Sequence, residues 1–362
     1  MNICFRVDSS TEIGSGHVMR CLTLADEFKK NGDNVVFISR LHEGNLCNYI
    51  NEKGYEVLAL EAANQDGEVV GVVNHNHAKW LGVTQEVDLR DSKEMIINSK
   101  RKFDWIVIDH YAIDKAWEQP MRDLIPNVMV IDDIADRGHD CDILLDQNFY
   151  QNADTRYSDL VPKQCHLLLG PKYALLRNEF IRYHSMVIEQ KNTYSALVFY
   201  GGSDPTNETI KAMNVINKHY PELHLHVVVG PSNPNKDFIK EQCKSEKFTF
   251  HYNINYMAKL MHEVDFAICA GGSTTWERYC VGTPAIVTAV AYNQVELCEN
   301  IQKLDIDSYI GISEVVTEQT IEDEVKSFIM NDFTLKGIKG KEVVDGKGKK
   351  RVLDIIKFLS HK

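Results

Sequence analysis

What the chain lacks narrows its class first. No apolar run reaches the roughly 18 to 20 residues that a membrane-crossing helix needs. The opening MNICFRVDSS runs straight into a strand pattern, without the charged and apolar regions of a signal peptide. Both absences point to a cytoplasmic protein with no membrane partner. There is no basic excess: 40 Lys and Arg stand against 52 Asp and Glu, for a net charge of −12. That argues against a nucleic-acid partner, yet leaves room for a locally positive pocket and an anionic ligand. The nine cysteines include no CxxC pair, and several, such as Cys4 and Cys269, lie inside apolar runs. They read as reduced, mostly buried thiols. No zinc spacing occurs among the Cys and His residues, and there is no low-complexity tract.

What is present is a long alternation of strand and helix. At 362 residues the chain exceeds one ordinary compact domain, so two domains of about 150 to 180 residues are expected. NICFRV, NVVFISR, YEVLAL, FDWIVIDH, VMVIDD and CDILLD are apolar runs with helical patterns between most of them. Such runs indicate parallel strands covered on both faces. The pattern restarts at YSALVFYGGSDP and continues through LHLHVVVG, FTFHYN, DFAICAGG and PAIVTAV. The fold class is therefore α/β, with two Rossmann-like doubly wound domains. The expected division is 1–176, a charged helical linker at 177–191, and 192–362. The final helix KRVLDIIKFL is the candidate to pack back on the first domain. Residues 61 to 93 are irregular and read as an excursion, and the stretch 315–333 reads as an amphipathic helix.

Ligands of open α/β sheets bind beyond the carboxyl ends of the strands. Three glycine-containing loops fall there: Gly14-Ser15-Gly16, Gly201-Gly202-Ser203-Asp204 and Gly271-Gly272-Ser273-Thr274. Glycine lets backbone N–H groups approach a ligand, and the helix that follows offers unpaired N–H groups and a positive dipole end to phosphate. Glu277, one turn past Ser273 and Thr274, is placed to accept hydrogen bonds from ribose hydroxyls. His17 opens the first helix between small neighbours. The dipole end there disfavours imidazolium, so His17 is a candidate general base, with a locally packed histidine as the other reading. Asp109, His110 and Tyr111 follow one buried strand, and Asp132 and Asp133 end another. Their clustering at strand ends raises a functional role above simple capping. His75, His77, His224 and His226 read as structural or surface residues.

Together, FRVDSSTEIGSGHVMRCLTLA, IDHYAID, CDILLDQN, LLLGPKYALLRNEF, GGSDPTN and GGSTTWERYCVGTPAI resemble the UDP-2,4-diacetamido-2,4,6-trideoxy-β-L-altropyranose hydrolases of bacterial pseudaminic acid synthesis. The resemblance runs from residue 1 to about 295 in the same motif order. That family is similar in fold to the two-domain GT-B glycosyltransferases, whose domains face across a cleft. The resemblance implies release of UDP from a UDP-sugar by cleavage of the anomeric C–O bond, with inversion and with neither metal nor cofactor. It implies that His17, in the GxGH motif, activates water and that Tyr111 sits near the reacting sugar. Gly14, Ser15 and Gly16 would shape the loop around sugar and diphosphate. Gly272, Ser273, Thr274 and Glu277 would hold UDP, with Gly202 and Ser203 lining the same ligand and Arg177 reaching a phosphate. The sequence is read as having no DxD motif of the kind that holds a divalent ion, and Asp132 and Asp133, being adjacent, are expected to point apart on a strand. Two other readings stay open: a GT-B glycosyltransferase with a hydroxyl acceptor, and a UDP-sugar-binding protein without catalysis.

Overall fold

The computed structural model describes residues 1–62, 77–188 and 194–361. The chain divides into two compact units. One comprises Met1–Gln147, Asn152–Leu175 and Gly348–Lys362; the other comprises Asn148–Gln151 and Leu176–Lys347.

The first unit is built on seven parallel strands: β1 Asn2–Val7, β2 Asn34–Arg40, β3 Glu56–Leu60, β4 Trp105–Asp109, β5 Asn127–Ile131, β6 Ile143–Asp146 and β7 His166–Leu169. Their order is β3-β2-β1-β4-β5-β6-β7. Side chains alternate between two cores, as the period of two requires. Ile3, Phe5, Val7, Trp105 and Val107 enter one core, where helices Gly16–Lys30 and Gly348–Ser360 cover the sheet with Phe28, Val352 and Ile356. Cys4, Ile106, Ile108 and Val130 enter the other, under Ile96 and Trp117. Burial on both faces explains why these strands read as unbroken apolar runs.

One strand carries an exception. Arg6 of β1 is fully buried, held by Asp8 at 2.6 Å and Asp88 at 2.6 Å. Asp88 also accepts from Arg40 at 2.8 Å and from the Trp117 indole at 3.1 Å. Burial pushes the Asp88 carboxyl up, but the Arg6 charge and hydrogen bond more than offset this and hold it below the usual range. Breaking a buried ion pair leaves an uncompensated charge, so Asp88→Ala is expected to destabilise the unit by about 3 to 5 kcal/mol. Denaturant unfolding followed by circular dichroism checks this; an unchanged midpoint would contradict it.

The second unit holds six parallel strands: β8 Ser195–Phe199, β9 His224–Val229, β10 Phe248–Tyr252, β11 Phe266–Ala270, β12 Ala285–Ala289 and β13 Ser308–Ile312, in the order β10-β9-β8-β11-β12-β13. Edge strands β7 and β13 lie outside the sequence reading. β7 has four residues, and β13 is half-buried throughout, so neither presents a distinct apolar run. The amphipathic stretch after residue 315 forms helix Glu318–Phe328, with Ile321, Val325 and Phe328 buried.

The unit boundaries differ from the expected 1–176, 177–191 and 192–362. Helix Asn178–His184, within the stretch read as a linker, belongs to the second unit and buries Phe180 there, while residues 189–193 lie outside the described residues. The final helix belongs to the first unit. It docks so closely that a Cβ on Gly348 would lie 2.3 Å from the Ala174 carbonyl oxygen, and Arg351 donates to the Lys172 carbonyl at 2.8 Å.

In both sheets the strand order reverses once, between β1 and β4 and between β8 and β11. Connections leave on opposite sides of such a point and open a crevice at the carboxyl ends of the strands.

Candidate active site

At the reversal in the first sheet the chain leaves β1 through Ser10–Gly14. The Ser10 hydroxyl accepts from the backbone N–H groups of Glu12 and Ile13, and Gly14 takes a φ of +78°, which favours glycine. Gly14, Ser15 and Gly16 are exposed, and a Cβ at either glycine would meet nothing within 4 Å. Ser15 caps helix Gly16–Lys30 without a side-chain hydrogen bond, so its hydroxyl satisfies none of the first N–H groups.

His17, the second residue of that helix, is buried with its Nδ1 2.6 Å from Oδ1 of Asp109, the last residue of β4. A bare ring nitrogen would repel a carboxylate at that distance, so Nδ1 carries the proton and donates it. In the neutral ring Nε2 is then the acceptor. What orients this ring is thus a buried carboxylate, acting beside the helix dipole that the sequence reading invoked for its charge. Asp109 is itself fully buried and clamped by Arg20, with Nε to Oδ2 at 2.6 Å and Nη2 to Oδ1 at 2.7 Å. Burial pushes its carboxyl up, but the charges of Arg20 and His17 prevail and hold it well below the usual carboxylate range.

Arg20 also reaches Asp133 at 2.9 Å, and Asp133 accepts the Tyr111 hydroxyl. Burial, then the Asp133 charge, push the Tyr111 phenol well above its ordinary value, so it remains a neutral donor. Its ring meets His17 edge-on at 4.6 Å and stacks on Trp80 at 5.5 Å, and His77 closes the group at 5.2 Å from Tyr111. Tyr111 therefore packs directly against the candidate base with its hydroxyl committed to Asp133. Asp132 turns the other way, to Arg137 at 2.7 Å and the Tyr157 hydroxyl at 3.1 Å, as adjacent residues at a strand end do.

Sequence reading placed Asp109 and Asp133 at the correct sheet edge but missed Arg20, Trp80 and His77. Arg20 lies three residues after His17 and so on the same helix face, a signal that was available. His77, read as structural, and Trp80 come from the irregular excursion, where no periodicity marks them. His75 lies outside the described residues.

In the second unit the reversal brings the Gly201 and Gly271 loops to the same edge. Gly202, Ser203 and Ser273 are exposed, and a Cβ on Gly202 or Gly272 would meet nothing within 4 Å. The two loops differ in one respect. Buried Asp204 accepts from the backbone N–H groups of Glu208 at 2.9 Å and Thr209 at 3.0 Å, so the helix after the first loop is already capped by a carboxylate. Helix Thr274–Val281 has no side-chain cap from Ser273. The N–H groups of Thr275 and Trp276 already donate to the Gly272 and Ser273 carbonyls, so what sets the second loop apart is the lack of a capping carboxylate.

Glu277 sits one turn into that helix, which Arg278 anchors through a buried ion pair to Asp307 at 2.7 Å. Arg177 lies 3.4 Å from Glu277 and 2.7 Å from Glu179. Its guanidinium is thus shared by two carboxylates rather than held open for a phosphate. Burial pushes the Glu277 carboxyl up to about 7, with Arg177 opposing.

Two DxD spacings exist, and both are engaged in ion pairs. Asp140 and Asp142 pair with Arg122 at 3.2 and 2.9 Å, and Asp305 and Asp307 pair with Lys339 and Arg278. Among the described residues no group of three His, Cys, Asp or Glu side chains is arranged to hold a metal ion, and no helix is long and apolar enough to cross a membrane.

Comparison with known proteins agrees with this architecture. Residues 196–331 match the glycosyltransferase family 28 C-terminal domain. The chain is 28% identical over 298 residues to MJ1062 of Methanocaldococcus jannaschii, covering 79% of this chain but 55% of that one, so it spans about half of that relative. It is 29% identical over 278 residues to the UDP-2,4-diacetamido-2,4,6-trideoxy-beta-L-altropyranose hydrolase of Campylobacter jejuni, covering 75% and 86%. To the spore coat polysaccharide biosynthesis protein SpsG of Bacillus subtilis it is 27% identical over 216 residues, covering 57% and 62%. Among solved structures, MurG of Acinetobacter baumannii superimposes with a TM-score of 0.65 at 13% identity, covering 98% and 99%. The kitacinnamycin glycotransferase does so at 0.67 and 16%, covering 98% of each chain. The chain has the α/β fold of the GT-B glycosyltransferases.

Proposed function

We propose that this protein is a UDP-sugar hydrolase, acting on UDP-2,4-diacetamido-2,4,6-trideoxy-β-L-altropyranose or a close analogue. The observation that carries the reading is the His17–Asp109 pair at the strand reversal of the first sheet. Nε2 of His17 takes a proton from water as the water oxygen attacks the anomeric carbon. The C1–O bond breaks on the opposite face, its electron pair leaves with UDP, and the configuration inverts. Tyr111 and Asp133 keep the pair in place. The open loop Gly14-Ser15-Gly16 leaves room for the sugar. Gly272, Ser273 and Thr274 present backbone N–H groups to the diphosphate, with Gly202 and Ser203 beside them, and a helix N-terminus stabilises the departing negative charge. Glu277 binds ribose, steadied by Arg177. The Campylobacter jejuni relative supports the substrate class.

The match to the glycosyltransferase family 28 C-terminal domain supports a second reading, in which a sugar hydroxyl replaces water as the acceptor. UDP release from the altrose sugar nucleotide, measured with and without acceptor sugars in ¹⁸O-water, separates the two. Hydrolysis puts label at C1 of the free sugar, without an acceptor and in the presence of EDTA. Release that requires an acceptor supports the transferase, and label in the UDP β-phosphate would contradict attack at carbon.

A ribose contact through Glu277 has a pH signature. Hydroxyl donors favour the ionised carboxylate, and this carboxyl titrates at about 7. Binding is therefore strongest above that value and weakens below it, by up to about tenfold per pH unit where only the ionised form binds. Calorimetric titration with UDP at pH 6 and pH 8 is expected to show this gain, and Glu277→Gln is expected to lose it.

A further inference from the structure

A base that rests 2.6 Å from a buried carboxylate faces a difficulty. The negative charge that orients the ring also favours a second proton on it, and an imidazolium cannot accept one from water. We propose that Arg20 is a positioning residue that sets the pH at which His17 can act as a base, by competing with His17 for the charge of Asp109. The proposal rests on the reading of His17 as the base.

The geometry supports this competition. Arg20 takes both oxygens of Asp109 in a fork at 2.6 and 2.7 Å, the arrangement in which guanidinium and carboxylate neutralise each other most fully. Its Nη2 also stands 3.3 Å from His17 Nδ1. Nδ1 already donates to Asp109, so this is an approach of two donors, unfavourable to any further positive charge on the ring. Asp133 holds the third nitrogen at 2.9 Å, so the guanidinium cannot swing away.

Among the described residues the other charged and titratable groups facing this cluster are few. Helix Gly16–Lys30 contributes the Cys21 thiol, 3.5 Å from Asp109 Oδ2; burial, then Asp109, push it well above its ordinary value, so it stays neutral. The end of β4 contributes Tyr111, and the end of β5 contributes Asp133, which holds Arg20 and Tyr111 and whose backbone carbonyl accepts from Arg156 at 3.3 Å. Arg137 stands 5.9 Å from the Tyr111 ring, paired with Asp132. His77, with Trp80, approaches from the excursion. Among the described residues Arg20 is thus the cation in direct contact with both members of the pair.

The experiment measures His17 directly and does not depend on the reaction. The native protein and Arg20→Met are labelled with ¹⁵N-histidine, and the His17 ring is titrated by NMR. A counter-charge at this distance moves a titration by about one to three pH units. The His17 midpoint in Arg20→Met is therefore expected at least about one unit above the native one, with the acid limb of kcat/KM displaced equally and activity recovering at high pH. Should Arg20→Met fail to fold, Arg20→Lys keeps the charge but loses the fork, and its midpoint is expected between the native value and one unit above it. An unmoved or lowered midpoint in whichever variant folds overturns the proposal and leaves Arg20 a purely structural role. If the native protein releases no UDP, the hydrolase reading falls, while the NMR midpoints still decide this inference.

Discussion

Replacing His17 with Asn is expected to lower kcat for UDP release by about 10²- to 10⁴-fold while leaving UDP affinity within a factor of about two. Asparagine is close to imidazole in reach and can still donate to Asp109, whose charge Arg20 already balances. The fold is therefore kept. What is lost is Nε2, the nitrogen that faces away from the carboxylate and can take a proton. The expected UDP contacts lie on Gly272, Ser273, Thr274 and Glu277, so binding provides an independent check on integrity. Steady-state kinetics and calorimetry on the same preparation test the claim. A variant with near-native kcat would remove His17 from the chemistry and with it the hydrolase mechanism.

Replacing Asp109 with Asn is expected to cost a similar 10²- to 10⁴-fold in kcat, for a different reason. The amide NH2 can donate to Nδ1, and that hydrogen bond holds the proton on Nε2. The ring remains in place in the wrong tautomer. This loss does not recover at high pH, because no titration restores the acceptor. Recovery at high pH is the mark expected of Arg20→Met, so pH profiles distinguish the two variants. The Asp109→Asn change also removes one of the two carboxylate charges that hold Arg20 and leaves that of Asp133, so the variant is expected to unfold at lower denaturant concentration. Kinetics are compared on the folded fraction, and the tautomer is read from the ¹⁵N shifts of His17. An Asp109→Asn enzyme with native tautomer and full activity would separate Asp109 from the function.

Much of the fold is legible before any coordinates. Strands such as NICFRV and DFAICA are buried on both faces and must be apolar at nearly every position, so a parallel sheet announces itself as a run. Edge strands β7 and β13 escape this logic because part of each stays in water. The Gly14-Ser15-Gly16-His17 stretch is legible for a related reason: a positive φ at Gly14 and an exposed loop before a helix leave few residue choices.

The sequence by itself determined the doubly wound class, the restart of the pattern near residue 194, and which loops reach the carboxyl edges of the strands. Each depends on local periodicity or backbone conformation. It also made His17 a candidate base, though through the helix dipole. Only the tertiary structure decided that Asp109, 92 residues away, sets the tautomer, and that Arg20 balances the charge. It likewise decided that Asp204 caps one helix N-terminus while another has no carboxylate cap, and that Arg177 is shared by Glu277 and Glu179. These are contests among several charged groups for a few short contacts. Their outcome depends on distances of a few ångströms in low dielectric, which residue spacing along the chain does not encode.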